Sequence, residues 1–176
     1  MKQNEGGFTL IELVVAVSLS VMLAAATTAF TFHALRTSAQ NEARLTALSN
    51  VQNAGYWISH DASMADDVIT DNLTSPTLLI LKWTDWGYGA DDVYWSVSYS
   101  VDDVTDGVGQ ISRWLQNSEG VDQKMLVADN IYYNPSDPDN STGISYQNHT
   151  VKLKVATRSG SAIEIRTYDT YRRPNF

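Results

Sequence analysis

Few residues in this chain have types and spacings that suggest chemistry, and the first of them is Glu12. It stands among Phe8-Thr9-Leu10-Ile11 and Leu13-Val14-Val15, at the start of a long apolar run. A carboxylate there costs about 2.5 kcal/mol or more if it is left in lipid, so such a residue usually has a function and a partner. The three histidines are scattered: His33 lies inside the apolar run, His60 far beyond it and His149 near the end. That scatter speaks against a three-ligand zinc site or a triad base. Ser59-His60-Asp61 is a tripeptide, and neighbours in sequence do not assume catalytic geometry. Asp137, Asp139 and Ser141 alternate as calcium-loop ligands do. The loop nevertheless lacks the glycine at the sixth and the glutamate at the twelfth position that such a loop carries. Asp102, Asp103 and Asp106 form a second loose group. A solvated turn is the better reading of both, with calcium kept as the one candidate ion. No phosphate-cradling glycine loop or dinucleotide fingerprint is present. The expectation is a protein without catalysis and without a cofactor.

The elements that must position Glu12 follow from the surrounding composition. Between Glu12 and Arg36 there is no formally charged residue, which leaves about 23 residues, or roughly 34 Å of helix, against a hydrocarbon core of about 30 Å. Neither Gly nor Pro occurs between Phe8 and Ala54, so nothing breaks the helix. A secretory signal has a shorter apolar stretch, with its cleavage site behind it. Here the polar-to-apolar junction Gly6-Gly7-Phe8 comes first. An ordinary membrane anchor fits the length but leaves Glu12 unexplained.

The stretch Gly7-Phe8-Thr9-Leu10-Ile11-Glu12-Leu13-Val14 resembles the processing site shared by type IV pilins and type II secretion pseudopilins. The resemblance implies that a membrane aspartic peptidase cuts after Gly7 and methylates the new N-terminus at Phe8. It makes Glu12 the fifth residue of the mature chain, where the family has its glutamate. The family's proposed pairing joins Glu12 of one subunit to the Phe8 amine of a neighbour. A buried cation and carboxylate offset each other's desolvation, which neither could do alone. The implied partners are other pilins or pseudopilins through the N-terminal helix, the prepilin peptidase and methylase, the membrane, and an inner-membrane assembly platform. The implied location is a single pass of the plasma (inner) membrane, with a cytoplasmic N-terminus and a periplasmic or extracellular C-terminal domain. After assembly that location is a filament. The positive-inside rule alone does not give this orientation, because Lys2 and Glu5 cancel in the leader.

Beyond Arg36 the helical period continues as an amphipathic stripe of Leu45, Leu48, Val51, Ile58, Ala62 and Ala65, so the spine is expected to run from Phe8 to about Ala65. The period then switches to two. Strands are expected over Thr77–Trp83, Val93–Val101, Gln110–Leu115, Lys124–Tyr133, Val151–Thr157 and Ala162–Tyr168. Turns are expected at Gly107-Val108-Gly109 and Ser159-Gly160, and Asn134–Gly143 reads as the longest loop. Strands that follow a helix as a block indicate α+β segregation with antiparallel pairing. The expected segments are a cleaved leader (1–7), a transmembrane and filament-core helix (8–36), the amphipathic half of the spine (37–66) and a β-sheet globular domain (67–176).

Composition bounds the partners. The 176 residues carry a formal net charge of −8 and no cysteine, which disfavours a phosphate backbone as ligand and excludes disulfides and thiolate sites. The late cluster Lys152, Lys154, Arg158, Arg166, Arg172 and Arg173 reads as solvated strand faces. Trp83, Trp86, Tyr88, Tyr94 and Trp95 concentrate aromatic side chains around the first strands, as core or as a contact surface. The chain lacks the spine proline and disulfide loop of many major pilins. Its sheet domain and the stretch Tyr56-Trp57-Ile58-Ser59-His60-Asp61 resemble the larger minor pseudopilins of the J or W type. A filament-tip adhesin or competence-type binding subunit with the same anchor is the alternative, and the residues leave pilus against secretion machinery open.

Overall fold

The computed structural model describes residues 9–71, 73–85, 92–160 and 162–173. Among these residues one helix, α1 (Leu10–Met64), precedes eight strands: β1 (Asp67–Ile69), β2 (Thr77–Asp85), β3 (Val93–Thr105), β4 (Val108–Asn117), β5 (Asp122–Tyr132), β6 (Gly143–Gln147), β7 (Thr150–Ser159) and β8 (Ala162–Tyr171). The fold is α+β, and the contacts divide it between Asn41 and Glu42 into two units.

In the first unit every described side chain from Thr9 to Asn41 is exposed. The helix is long and apolar enough to cross a membrane. Its hydroxyls do not spoil that character. Ser18, Ser20, Thr27, Thr28 and Thr31 each donate to the carbonyl four residues back, at 2.8–2.9 Å. Each hydroxyl proton is thereby satisfied within the helix, which removes much of the cost of placing it in lipid.

In the second unit the C-terminal half of α1 packs on a curled antiparallel sheet in the order β1-β2-β3-β4-β5-β7-β6, with β8 on β7. The core lies between them. Val51, Ala54, Ile58 and Ala62 meet Leu79, Leu81, Val97, Tyr99, Val101, Ile111, Ile131, Leu153 and Val155. The inward alternation on β3 is the expected one, with Val97, Tyr99 and Val101 buried. The helical stripe differs from expectation in its first turn. Leu45 is 66% exposed and Ala47 is buried in its place. The small residue lets the helix approach β7, where the Thr157 hydroxyl donates to the Ala47 carbonyl at 3.0 Å.

Two strands were not expected, β1 and β6. Strand β1 begins at Asp67, three residues after the helix ends, and pairs Val68 with Leu81. Strand β6 is joined to β7 by Asn148-His149, which take φ of 51° and 61° between the paired residues Gln147 and Thr150. This is a two-residue turn of the I′ kind made without glycine, so the usual signal is missing. The β3–β4 turn is Asp106-Gly107, with φ of 52° and 77°. Gly109, expected in that turn, lies within β4. A Cβ there would sit 2.6 Å from the Asp102 carbonyl, so the glycine serves a close strand approach.

Gly55 has a different purpose. A Cβ on it would lie 2.2 Å from the Tyr168 ring, and the Tyr168 hydroxyl donates to the Val51 carbonyl at 3.2 Å. The ring therefore lies across the helix where only hydrogen fits. Gly55→Ala gains about 1 kcal/mol of helix propensity but incurs an overpacking cost of about 1–3 kcal/mol. A lower denaturation midpoint is expected. In a Tyr168→Ala background the same substitution should be neutral or stabilising, and denaturant melts of the four variants in detergent measure that coupling.

Candidate functional site

The N-terminal end of α1 is built around Thr9 and Glu12. Thr9 stands just before the helix, and its carbonyl accepts the first helical bond from the Leu13 amide at 3.2 Å. The Thr9 amide and hydroxyl both donate to Glu12 Oε2, at 2.9 and 2.8 Å, and the Glu12 amide reaches the Thr9 hydroxyl at 3.4 Å. This is a reciprocal capping box, which satisfies amides at the helix start that have no helical partner. The Thr-x-x-Glu spacing that signals such a cap was passed over in the sequence, where Glu12 was assigned to assembly alone. Glu12 thus begins as an acceptor for its own chain, with its carboxylate at the helix end where the dipole favours a negative charge. Gly7 and Phe8, the expected cleavage and methylation residues, lie outside the described residues.

A second constellation joins α1 to the sheet, and sequence reading missed it. Asp61 is fully buried on the inner face of the helix. Arg113 of β4 grips it with two bonds, Nε to Oδ2 at 2.7 Å and Nη2 to Oδ1 at 3.1 Å. The hydroxyl of Tyr99 on β3 also donates to Oδ2. The Arg113 guanidinium lies 5.2 Å from the centre of the Trp57 ring, a cation–π contact. An ion pair so enclosed needs this degree of hydrogen bonding to offset its desolvation. Arg113 is held above its ordinary value: burial works against the charge, but the bonds and charge of Asp61 outweigh it.

The same pocket pushes the Tyr99 hydroxyl well above the ordinary tyrosine range, through burial first and then the Asp61 charge. The native state holds this proton more tightly than the unfolded chain, so the stabilisation is complete below about pH 10 and is lost as pH rises beyond it, by about 1.4 kcal/mol per unit. Denaturant melts across that window should show a shallower alkaline decline in Tyr99→Phe than in the parent. Equal slopes would show that Tyr99 titrates alike in both states.

The remaining candidates are dispersed. His33 Nδ1 meets the Thr37 hydroxyl at 3.1 Å, His149 Nδ1 accepts from Arg172 Nε at 3.1 Å, and His60 stacks on Tyr56. His60 Nδ1 lies 3.5 Å from Asp61 Oδ1, a longer contact than the bonds by which Arg113 and Tyr99 hold that carboxylate. Asp102 is bound by Lys124 at 2.8 Å and by the Ser100 hydroxyl at 2.8 Å. In the Asn134–Gly143 loop, Asn140 Nδ2 donates to both Asp137 carboxylate oxygens, at 3.2 and 3.1 Å. Ser141 Oγ accepts from the Asn134 amide at 2.8 Å. No group of three histidine or acidic side chains placed to hold a metal occurs among the described residues. Trp83 and Trp95 stack across β2 and β3, with ring centres 6.2 Å apart, Trp83 against the core. Tyr94 is 60% exposed, and Trp86 and Tyr88 lie outside the described residues.

Residues 2–28 match a family model described as the prokaryotic N-terminal methylation motif. No curated protein and no solved structure matches the chain. The motif and the long apolar helix support a prepilin of the type IV pilin or pseudopilin kind, processed by prepilin peptidase and assembling with other pilins. The helix-on-sheet architecture is consistent with a pilin-like fold.

Proposed function

We propose that the protein is a structural minor subunit, cut after Gly7, methylated at Phe8, and joined through its N-terminal helix to a type IV pilus or a type II secretion pseudopilus. The observation that carries this reading is the methylation motif lying directly on an exposed helix able to span a membrane. Glu12, capped at the start of that helix, is the residue assigned to assembly. The domain after Asn41 is assigned to the periplasmic or outer side. Among the described residues its most buried carboxylate, Asp61, is committed to Arg113 and Tyr99, which fits a structural role.

Intact mass of the protein, taken separately from membranes and from sheared surface filaments, tests the proposal. Loss of Met1–Gly7 with one added methyl group, in filaments, is the result expected of a pilus subunit. The same mature species confined to membranes would assign it to a pseudopilus or to a priming complex. An uncut chain in both fractions would overturn the reading and leave a plain membrane anchor.

A further inference from the structure

The connection between β5 and β6 has oxygen-rich spacing at Asp137, Asp139 and Ser141, yet the structure shows a cation of the chain's own seated there. Lys154, on β7, sends its ammonium to the main-chain carbonyl of Pro138 and, at 3.1 Å, to that of Asp139. The neighbouring oxygens are committed within the loop, Asp137 to Asn140 and Ser141 to the Asn134 amide. The far end is pinned separately. The Thr142 hydroxyl donates to the Ala156 carbonyl at 3.1 Å and accepts from the Ala156 amide at 3.0 Å. Together these bonds fold the loop over the outer face of β6 and β7, beside a groove of about 330 Å³ whose walls include Tyr133, Pro135, Pro138, Ile144, Lys152 and Thr167.

We propose that Lys154 is the built-in cation of this loop. A hard divalent ion would hold such a turn by gathering carbonyl and carboxylate oxygens. Here an ammonium with three donors gathers two carbonyls and brings its own tether from β7. The assignment depends on backbone carbonyls, so the carboxylate of Asp139 is dispensable. The loop and the groove beside it then stay formed at any calcium concentration. This makes the groove a standing surface feature and not a calcium-gated one. The inference is independent of the filament reading.

Limited proteolysis of the full chain in detergent, read by mass at 134–143, tests it in chelator and in millimolar calcium. The parent chain should resist equally in both. Lys154→Gln should be cut at the loop about tenfold faster in both, Lys154→Arg should recover most of the protection, and Asp139→Asn should behave as the parent. Protection of the parent that requires calcium would overturn the proposal, as would a Lys154→Gln variant as resistant as the parent. Sensitivity of Asp139→Asn that calcium no longer relieves would assign the loop to a metal site instead.

Discussion

Asp61→Ala is expected to destabilise the globular unit by about 3–5 kcal/mol, because it leaves the Arg113 guanidinium buried without its carboxylate. Arg113 is only 8% exposed and cannot turn to water without losing its place against Trp57. The Tyr99 hydroxyl, also inside, loses its acceptor in the same step. Against a typical total of about 5–15 kcal/mol, a loss of that size removes much of the fold's margin. The companion variant Asp61→Leu with Arg113→Met replaces both charges by apolar groups. It should regain the part lost to the unpaired charge, since a buried pair contributes little net energy relative to well-packed hydrophobic residues, while the cost of the orphaned Tyr99 hydroxyl remains. Denaturant unfolding of the single and double variants gives the coupling energy. A single variant within about 1 kcal/mol of the parent would show that water reaches Arg113 in solution.

The pair also explains how α1 ends. No basic residue occupies the last turn of the helix, where a cation would complement the dipole, and Asp61 by itself opposes it. Arg113 supplies the missing charge from the sheet. This part of the structure was hidden from the sequence because the partners are 38 and 52 residues away. A hint existed: Asp61 directly precedes Ala62 and follows Ile58 by three positions, which puts it on the buried stripe, where a lone carboxylate demands a partner. Sequence periodicity identifies the face but not the strand that answers it.

The spine itself was legible for the opposite reason, since an unbroken apolar run without Gly or Pro has one solution. The longer strands were legible too, because alternation such as Val97, Tyr99 and Val101 against serines is local information. What was lost is short or unconventional. Strand β1 has three residues, too few for a pattern, and β6 hangs on a turn without glycine at Asn148-His149. Tyr168 against Gly55 is likewise a long-range fit, although a glycine in the middle of a helical stripe is the mark such a fit leaves. The capping box at the N-terminus was missed as well, although the spacing of Thr9 and Glu12 is its signal.

That capping box gives Glu12 two separable jobs, and substitutions should separate them. Glu12→Gln keeps an oxygen to accept the Thr9 amide and hydroxyl, but abolishes the charge. Glu12→Ala abolishes both. If the carboxylate pairs with a neighbouring subunit's Phe8 amine inside an apolar helix bundle, either change leaves that amine buried and unpaired. The loss is then about 3–5 kcal/mol, or more than a hundredfold in incorporation. Both variants should therefore be cleaved and methylated yet be missing from filaments, with processing read by intact mass and incorporation by immunoblot of sheared fractions. Thr9→Val removes only the hydroxyl arm of the cap and leaves the charge and the amide, so it should lower incorporation only a few-fold. Incorporation of Glu12→Gln at the parent level would sink the ion-pair role and reduce Glu12 to a helix cap. Loss of Thr9→Val from filaments as complete as that of Glu12→Ala would mean that the cap aims the carboxylate, and that the pairing fails without it.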